Sequence, residues 1–371
     1  MIDIRGTGKS NPLNCNSLQY KAGLQEKLDE MYPIPAVKNC YDSLSKIADL
    51  TQYTTSNIAE DMEEVRQWLG YKKISVMGLS YGTRLAQEFM RRYPEAVASV
   101  VLFSPVIMDS KMPLPFARFA QNTLDDILNE CNNDSLCNSR FPQIKNEFIS
   151  LMTKGRQAPF QVNYIMRNGT MKKIMISWDA FQTKIRSMLY APFGQRSVPF
   201  IIHEAYAGNW RPFLGFFKEN AVYEDFLAEG LYLCITCSED IPFIKEEDIA
   251  SITANTFMNT YRVDQQKRAC SLWIQGVIPT DFHKPVFSDI PVLILSGALD
   301  PVTPTDWARQ IAKNLPQSKL VIIPAMGHVF DGLSNEGCFD DMVLRFVADP
   351  TVALLNTECV YDMKPPPFKI K

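Results

Sequence analysis

No apolar run in this chain is long enough to cross a bilayer. The two longest, residues 97–108 and 291–299, are interrupted by Ser, Pro or Gly and stop short of the ~20 residues a span needs, so both read as buried strands. Positive charge is not in excess either. The 38 Lys and Arg stand against 41 Asp and Glu, the net charge is -3, and there is no basic stripe of the kind a phosphate backbone demands. A nucleic-acid partner and a membrane span are thereby set aside. No cationic start followed by an apolar stretch marks a signal peptide. There is no internal repeat, and low complexity is confined to residues 365–367. Histidine is scarce: a catalytic base must be found among His203, His283 and His328.

What is present supports a folded chain. A hydrophobic fraction of 46% against 21% charged residues, over 371 residues, allows one large domain or two smaller ones with a real core. The nine cysteines, Cys15, Cys40, Cys131, Cys137, Cys234, Cys237, Cys270, Cys338 and Cys359, are many for a cytosolic enzyme. Several lie in polar, loop-like sequence, which points to an oxidising compartment and some disulfides, with at least one cysteine left over. Cys234 and Cys237 have redox or zinc spacing, but no second pair and no nearby His accompany them, so no metal site is expected.

Two regions have the texture of an α/β sheet. In residues 1–105, apolar runs at 73–78 and 98–104 bracket a helical pattern at 81–93, and 56–69 reads as a helix with a Ser cap. In residues 289–371, strands at 291–296 and 319–324 alternate with helices at 304–315 and 339–347. That alternation implies a mostly parallel sheet covered on both faces. Between them, residues 106–288 are rich in Phe, Met, Tyr and Asn, show mainly helical periodicity, and read as an insertion that caps the sheet.

Gly78-Leu79-Ser80-Tyr81-Gly82 fits a nucleophile elbow. A strand that turns at once into a helix holds the serine in a strained conformation and lifts its hydroxyl clear. Side chains two positions either side would collide, hence Gly78 and Gly82. The turn also puts a developing oxyanion at a helix N-terminus, with the Tyr81 backbone N–H as one donor. A chance glycine-flanked turn is the alternative, but the apolar run before and the amphipathic run after favour the elbow.

Asp300 follows the 291–296 strand, at the carboxyl end where parallel sheets present functional groups; a turn Asp before Pro301 is the alternative. His328 follows the 319–324 strand directly, whereas His203 lies within the insertion and His283 in a polar stretch. The chain order Ser80, Asp300, His328, each just after a strand, is the order of a serine hydrolase built on such a sheet. Packed or surface roles are expected for the other two histidines. Gly8-Lys9-Ser10 resembles the end of a P-loop, but the required earlier glycine is Asp3 and no strand precedes it, so no nucleotide cofactor is expected.

The blocks Asp3-Ile4-Arg5-Gly6-Thr7-Gly8-Lys9-Ser10, Gly78 to Arg84, Leu295 to Pro304 and Gly327-His328 together resemble the tripeptidyl-aminopeptidase-like branch of the prolyl aminopeptidase family of α/β-hydrolases. Tyr81 favours this branch over prolyl aminopeptidases proper, which usually carry Trp after the nucleophile. The resemblance implies an α/β-hydrolase fold with a helical cap between the sixth and seventh strands, and a peptide substrate with a free N-terminus. It also implies pairs Cys15–Cys40, Cys131–Cys137, Cys237–Cys270 and Cys338–Cys359, with Cys234 free. A substrate amine would need acidic groups in the cap. Glu239 and Asp240 come first, then Glu204 and Glu229, with ordinary solvated surface as the alternative.

In that fold the Asp-x-Arg-Gly loop follows the fourth strand, yet only Met1 and Ile2 precede it here. The front strands, the loop giving a second oxyanion donor and any signal peptide are therefore expected to be missing. That would leave a gap in mid-sheet and a donor worth ~3 kcal/mol lost to catalysis. Three readings remain at this level: a secreted or periplasmic serine exopeptidase, a carboxylesterase or lipase-like hydrolase with the same triad, and a non-catalytic binding protein on a hydrolase scaffold.

Overall fold

The computed structural model describes residues 2–19, 23–165, 169–219 and 227–371. Four parallel strands form the main sheet: β1 (Ile74–Leu79), β2 (Val97–Phe103), β5 (Val292–Gly297) and β6 (Ser318–Ile323), in the spatial order β1-β2-β5-β6. The strands follow from their composition, since runs such as Val-Leu-Ile-Leu are β-branched or apolar at every position and suit burial on both faces. All six residues of β5 are buried, and six of the seven in β2. β1 differs: its residues alternate in burial, and Met77 and Leu79 are 53% and 44% exposed. The gap expected in mid-sheet is not what is seen. Among the described residues no strand lies beyond β1, and the sheet ends there.

The longer helices are α1 (Ile34–Leu44), α2 (Thr55–Trp68), α3 (Tyr81–Arg92), α4 (Phe116–Asn133), α5 (Ile144–Gln157), α6 (Trp178–Met188), α7 (Pro192–Tyr206), α8 (Glu229–Glu239), α9 (Tyr261–Cys270), α10 (Thr305–Lys313) and α11 (Gly337–Ala348). Each helix anticipated in the two sheet regions is present. The cap of α2 is not a serine, however: Thr54 accepts from Asn57 N, while the Ser56 hydroxyl turns inward to Glu88 Oε1 at 2.7 Å. α3 runs between the sheet and α2 and is buried from Thr83 to Met90. Its polar residues are therefore bonded internally, with Gln87 Nε2 donating to Thr83 O and Val106 O.

The segment between β2 and β5 is mainly helical, as its periodicity predicts. It also contains an antiparallel hairpin of β3 (Phe160–Ile165) and β4 (Met171–Ile176). The segment packs in two directions. α4, α5, α6, α7 and Trp210 to Phe217 build an aromatic-rich core of their own. α8 and α9 instead join the core shared by α1, α2, α3 and one face of the sheet. Disulfides Cys15–Cys40, Cys131–Cys137, Cys237–Cys270 and Cys338–Cys359 match the pairs the resemblance implies, and Cys234 is free and buried. Cys237 is thus committed to Cys270, while Cys234 Sγ receives the Trp273 indole N–H. No helix among the described residues is long and apolar enough to cross a membrane.

Candidate active site

Ser80 occupies the one-residue junction between β1 and α3, with φ 52° and ψ -120°. A non-glycine residue held there is strained, and its surroundings must fix it. They do: Ser80 N donates to Phe103 O at 2.9 Å, and Thr83 N closes back on Ser80 O at 2.9 Å. The two flanking glycines have different reasons. A Cβ on Gly78 would lie 2.2 Å from Gly82 O, so strand and helix could not approach as they do. A Cβ on Gly82 meets nothing within 4 Å, so the mutual collision expected from the sequence is one-sided. Gly78→Ala is expected to cost ~1–3 kcal/mol of stability and displace the elbow, while Gly82→Ala folds nearly as well as the parent. Urea melts of the two variants check this.

Asp300 and His328 meet on the far side of β2 from β1. Asp300 follows β5, His328 follows β6, and His328 Nδ1 lies 2.9 Å from Asp300 Oδ2. Both residues are buried. The carboxylate is fixed by three further donors: Val302 N at 2.7 Å and Thr303 N at 2.9 Å on Oδ1, and Thr303 Oγ1 at 2.6 Å on Oδ2. With Nδ1 turned to Asp300, Nε2 is the nitrogen left to accept a proton. The end of β2 couples the two halves of the site. Phe103 O accepts from Ser80 N, and the Ser104 hydroxyl donates to His328 O at 2.7 Å. Within the described residues Ser80 Oγ and His328 Nε2 are not hydrogen-bonded; such contacts often close only around substrate.

Four residues of this site carried no assigned role in the sequence. Thr303 lies inside the Asp300 block, where a hydroxyl three residues past a carboxylate is a recognisable local donor to it. Ser104, Tyr190 and Gln195 gave no such signal, because their roles depend on distant chain. Tyr190 O receives His328 N at 2.7 Å and Val329 N at 3.1 Å, and its ring stands edge-on to the imidazole with centroids 5.2 Å apart. Gln195 Nε2 bridges Leu189 O and Leu299 O. Together they dock the α6–α7 junction onto the loops that carry Asp300 and His328.

The carboxylates considered for a substrate amine fall in three places. Glu239 and Asp240 are buried beneath the elbow. Glu239 receives Thr55 N at 2.6 Å and Thr55 Oγ1 at 2.7 Å, and the same hydroxyl is 2.9 Å from Tyr81 Oη. Burial pushes the Glu239 carboxyl up to about 7 against the opposing pull of Arg84. Burial likewise raises the Tyr81 phenol. Asp240 receives two bonds from Arg84 Nη1, at 3.0 and 3.1 Å, and one from Met112 N at 3.0 Å. Both carboxylates therefore have internal partners. Glu204 accepts from Asn209 on the cap surface. Glu229 accepts from Tyr32 at 3.2 Å, beside Arg262. The remaining histidines pack: His203 against Glu147 and Phe141, His283 onto Glu239 O and Phe243. A cleft of about 440 Å³ lined by Gln87, Met108, His283 and Ile311 lies behind α3, and Ser80, Asp300 and His328 are not among its lining residues.

Two segments of this chain match known families. Residues 1–148 match the family described as α/β hydrolase fold, and residues 255–359 match TAP-like protein. Putative hydrolase YuaR of Escherichia coli is 24% identical over 378 residues, covering 94% of this chain and 71% of that protein. Tripeptidyl aminopeptidase of Streptomyces lividans is 29% identical over 120 residues, 28% of this chain and 21% of the relative. Serine protease Hip1 of Mycobacterium tuberculosis is 27% identical over 151 residues, 37% of this chain and 29% of the relative. The match thus spans less than a third of those last two proteins.

Proposed function

We propose that this chain, a TAP-like protein of the α/β-hydrolase fold, is a serine hydrolase that works through an acyl-enzyme on peptides, releasing short pieces or single residues from their N-termini. The observation that carries the reading is the buried His328–Asp300 contact, aligned by β2 with the strained Ser80. His328 Nε2 takes the Ser80 proton as Oγ attacks the carbonyl carbon. The charge that develops on the carbonyl oxygen falls at the start of α3, where the Tyr81 N–H donates. His328 then gives its proton to the leaving amine, the acyl-serine forms, and water enters with the same base to hydrolyse it. Asp300 holds the imidazole in place and stabilises its cationic form. Peptides, rather than other acyl compounds, are favoured by the TAP-like match over residues 255–359. An extracytoplasmic setting is favoured by four disulfides.

One observation favours a second reading, a carboxylesterase. Glu239 and Asp240, the acidic pair nearest the elbow, are already bonded to Thr55 and Arg84 and are not free to meet an amine. A fluorophosphonate probe followed by mass spectrometry is expected to label Ser80, and Ser80→Ala to abolish labelling. Aminoacyl and tripeptidyl amides are expected to turn over. Ester turnover without amide turnover would establish the second reading, and an unlabelled Ser80 would remove both.

A further inference from the structure

Arg186 is a buried cation without a counter-charge, one side chain away from the catalytic base. It lies in the last turn of α6 and is 9% exposed. Its guanidinium sits over the Phe116 ring, 4.1 Å from the centroid, and beside the Tyr190 ring at 5.1 Å. Its one hydrogen bond runs from Nη2 to Tyr190 Oη at 2.9 Å, and its buried Nε has no partner. Among the described residues no carboxylate stands within ion-pair distance of it, whereas Arg66, Arg84 and Arg196 each have one. Buried charges are ordinarily paired, because desolvating a lone ion costs several kcal/mol. An arginine cannot escape that cost by losing its proton.

The neighbourhood deepens the imbalance. Arg262 is also buried, and it spends its guanidinium on Gln266 and Tyr232. Tyr232 lies in the field of both arginines, and Arg262 acts on Tyr190 and Glu229. Glu229 acts on Arg262, and no ion pair joins either guanidinium to a carboxylate among the described residues. The connection to the triad is short, since the Tyr190 ring that Arg186 holds is the one standing edge-on to His328.

We propose that Arg186 is the recognition point for a carboxylate carried by the substrate, which the guanidinium fork binds beside the scissile bond. This inference rests on the hydrolase reading and names the substrate class within it: short peptides with an acid group near the cleaved carbonyl. The group is either the C-terminal carboxylate of a very short peptide or an acidic side chain.

Binding of trialanine and of its C-terminal amide to Ser80→Ala, followed by calorimetry, gives the comparison without turnover. A second pair, Ala-Asp-Ala amide and Ala-Asn-Ala amide, identifies the source of the charge. One acid of the two pairs is expected to bind on the order of tenfold tighter than its neutral mate, with the same preference in KM for the active protein. Arg186→Met in the Ser80→Ala background is expected to bring the ratio to about one, and Arg186→Lys to restore part of it. Equal binding within both pairs, or a preference that survives Arg186→Met, overturns the proposal. Failure of Ser80 to label with fluorophosphonate defeats the hydrolase reading instead and leaves a different record.

Discussion

Asp300→Asn is expected to lower kcat by about 10⁴-fold while leaving the fold in place. The direction follows from the donors around the carboxylate. Val302 N and Thr303 N both point at Oδ1, so the oxygen of an introduced amide stays on that side and its NH2 falls where Oδ2 was. That NH2 then faces His328 Nδ1 and demands a lone pair there. The imidazole proton moves to Nε2, and the base can no longer accept from Ser80. Thr303 Oγ1, which donates to Oδ2, can rotate and accept instead, so stability changes little. Kinetics on the best amide, with a urea melt as the control for folding, check both halves. A variant that keeps a tenth or more of the parent kcat would remove Asp300 from the machinery.

Arg84→Met carries the largest expected loss of stability. Arg84 is 2% exposed, and Asp240 and Glu239, its ion-pair partners at 3.0 and 3.7 Å, are buried with it. Methionine fills much of the same space but leaves two carboxylates inside the core without their cation, which costs ~3–5 kcal/mol near neutral pH. The pH dependence has a fixed sign. With the folded Glu239 carboxyl raised to about 7 from 4.5, the native state binds more protons than the unfolded chain between those values. The stabilisation is complete below about 4.5 and declines as pH rises through 7. Removing Arg84 takes away the charge that lowers the Glu239 carboxyl and so raises it further, and the variant is expected to be closest to the parent at pH 5 and furthest from it at pH 8. Denaturant midpoints at the two pH values are the measurement. A constant difference would mean that lost packing, not charge, sets the cost.

The strands, the helices beside them and the places of Ser80, Asp300 and His328 just past strands were legible because each depends on a few adjacent residues. A run of β-branched residues, a glycine that permits a tight crossing, and a polar residue just past a strand are all local signals. Gly82 shows the limit of such reasoning: symmetric in the motif, it proves to have open space on its Cβ side while Gly78 does not. The hairpin of β3 and β4 was missed because it is an isolated pair, half-exposed, whose Phe-Gln-Val-Asn pattern sits among helical segments. Glu239 and Asp240 look like ordinary surface acids in sequence. Their burial depends on Arg84 and Thr55, more than a hundred positions upstream, and no local pattern encodes that pairing. Arg186 and Tyr190 are invisible for the same reason, since only folding places them against Phe116 and His328.

Among the described residues, the strand that leads into Ser80 is laced to the sheet along one flank only. It is held by its pairing with β2 and by the helix that follows. Amides of Ile74–Leu79 aimed away from β2 should therefore trade deuterium sooner than those aimed towards it. Any extended polypeptide that zipped onto that rim would stiffen the hydroxyl's mounting directly, with no need to touch the acid or the base.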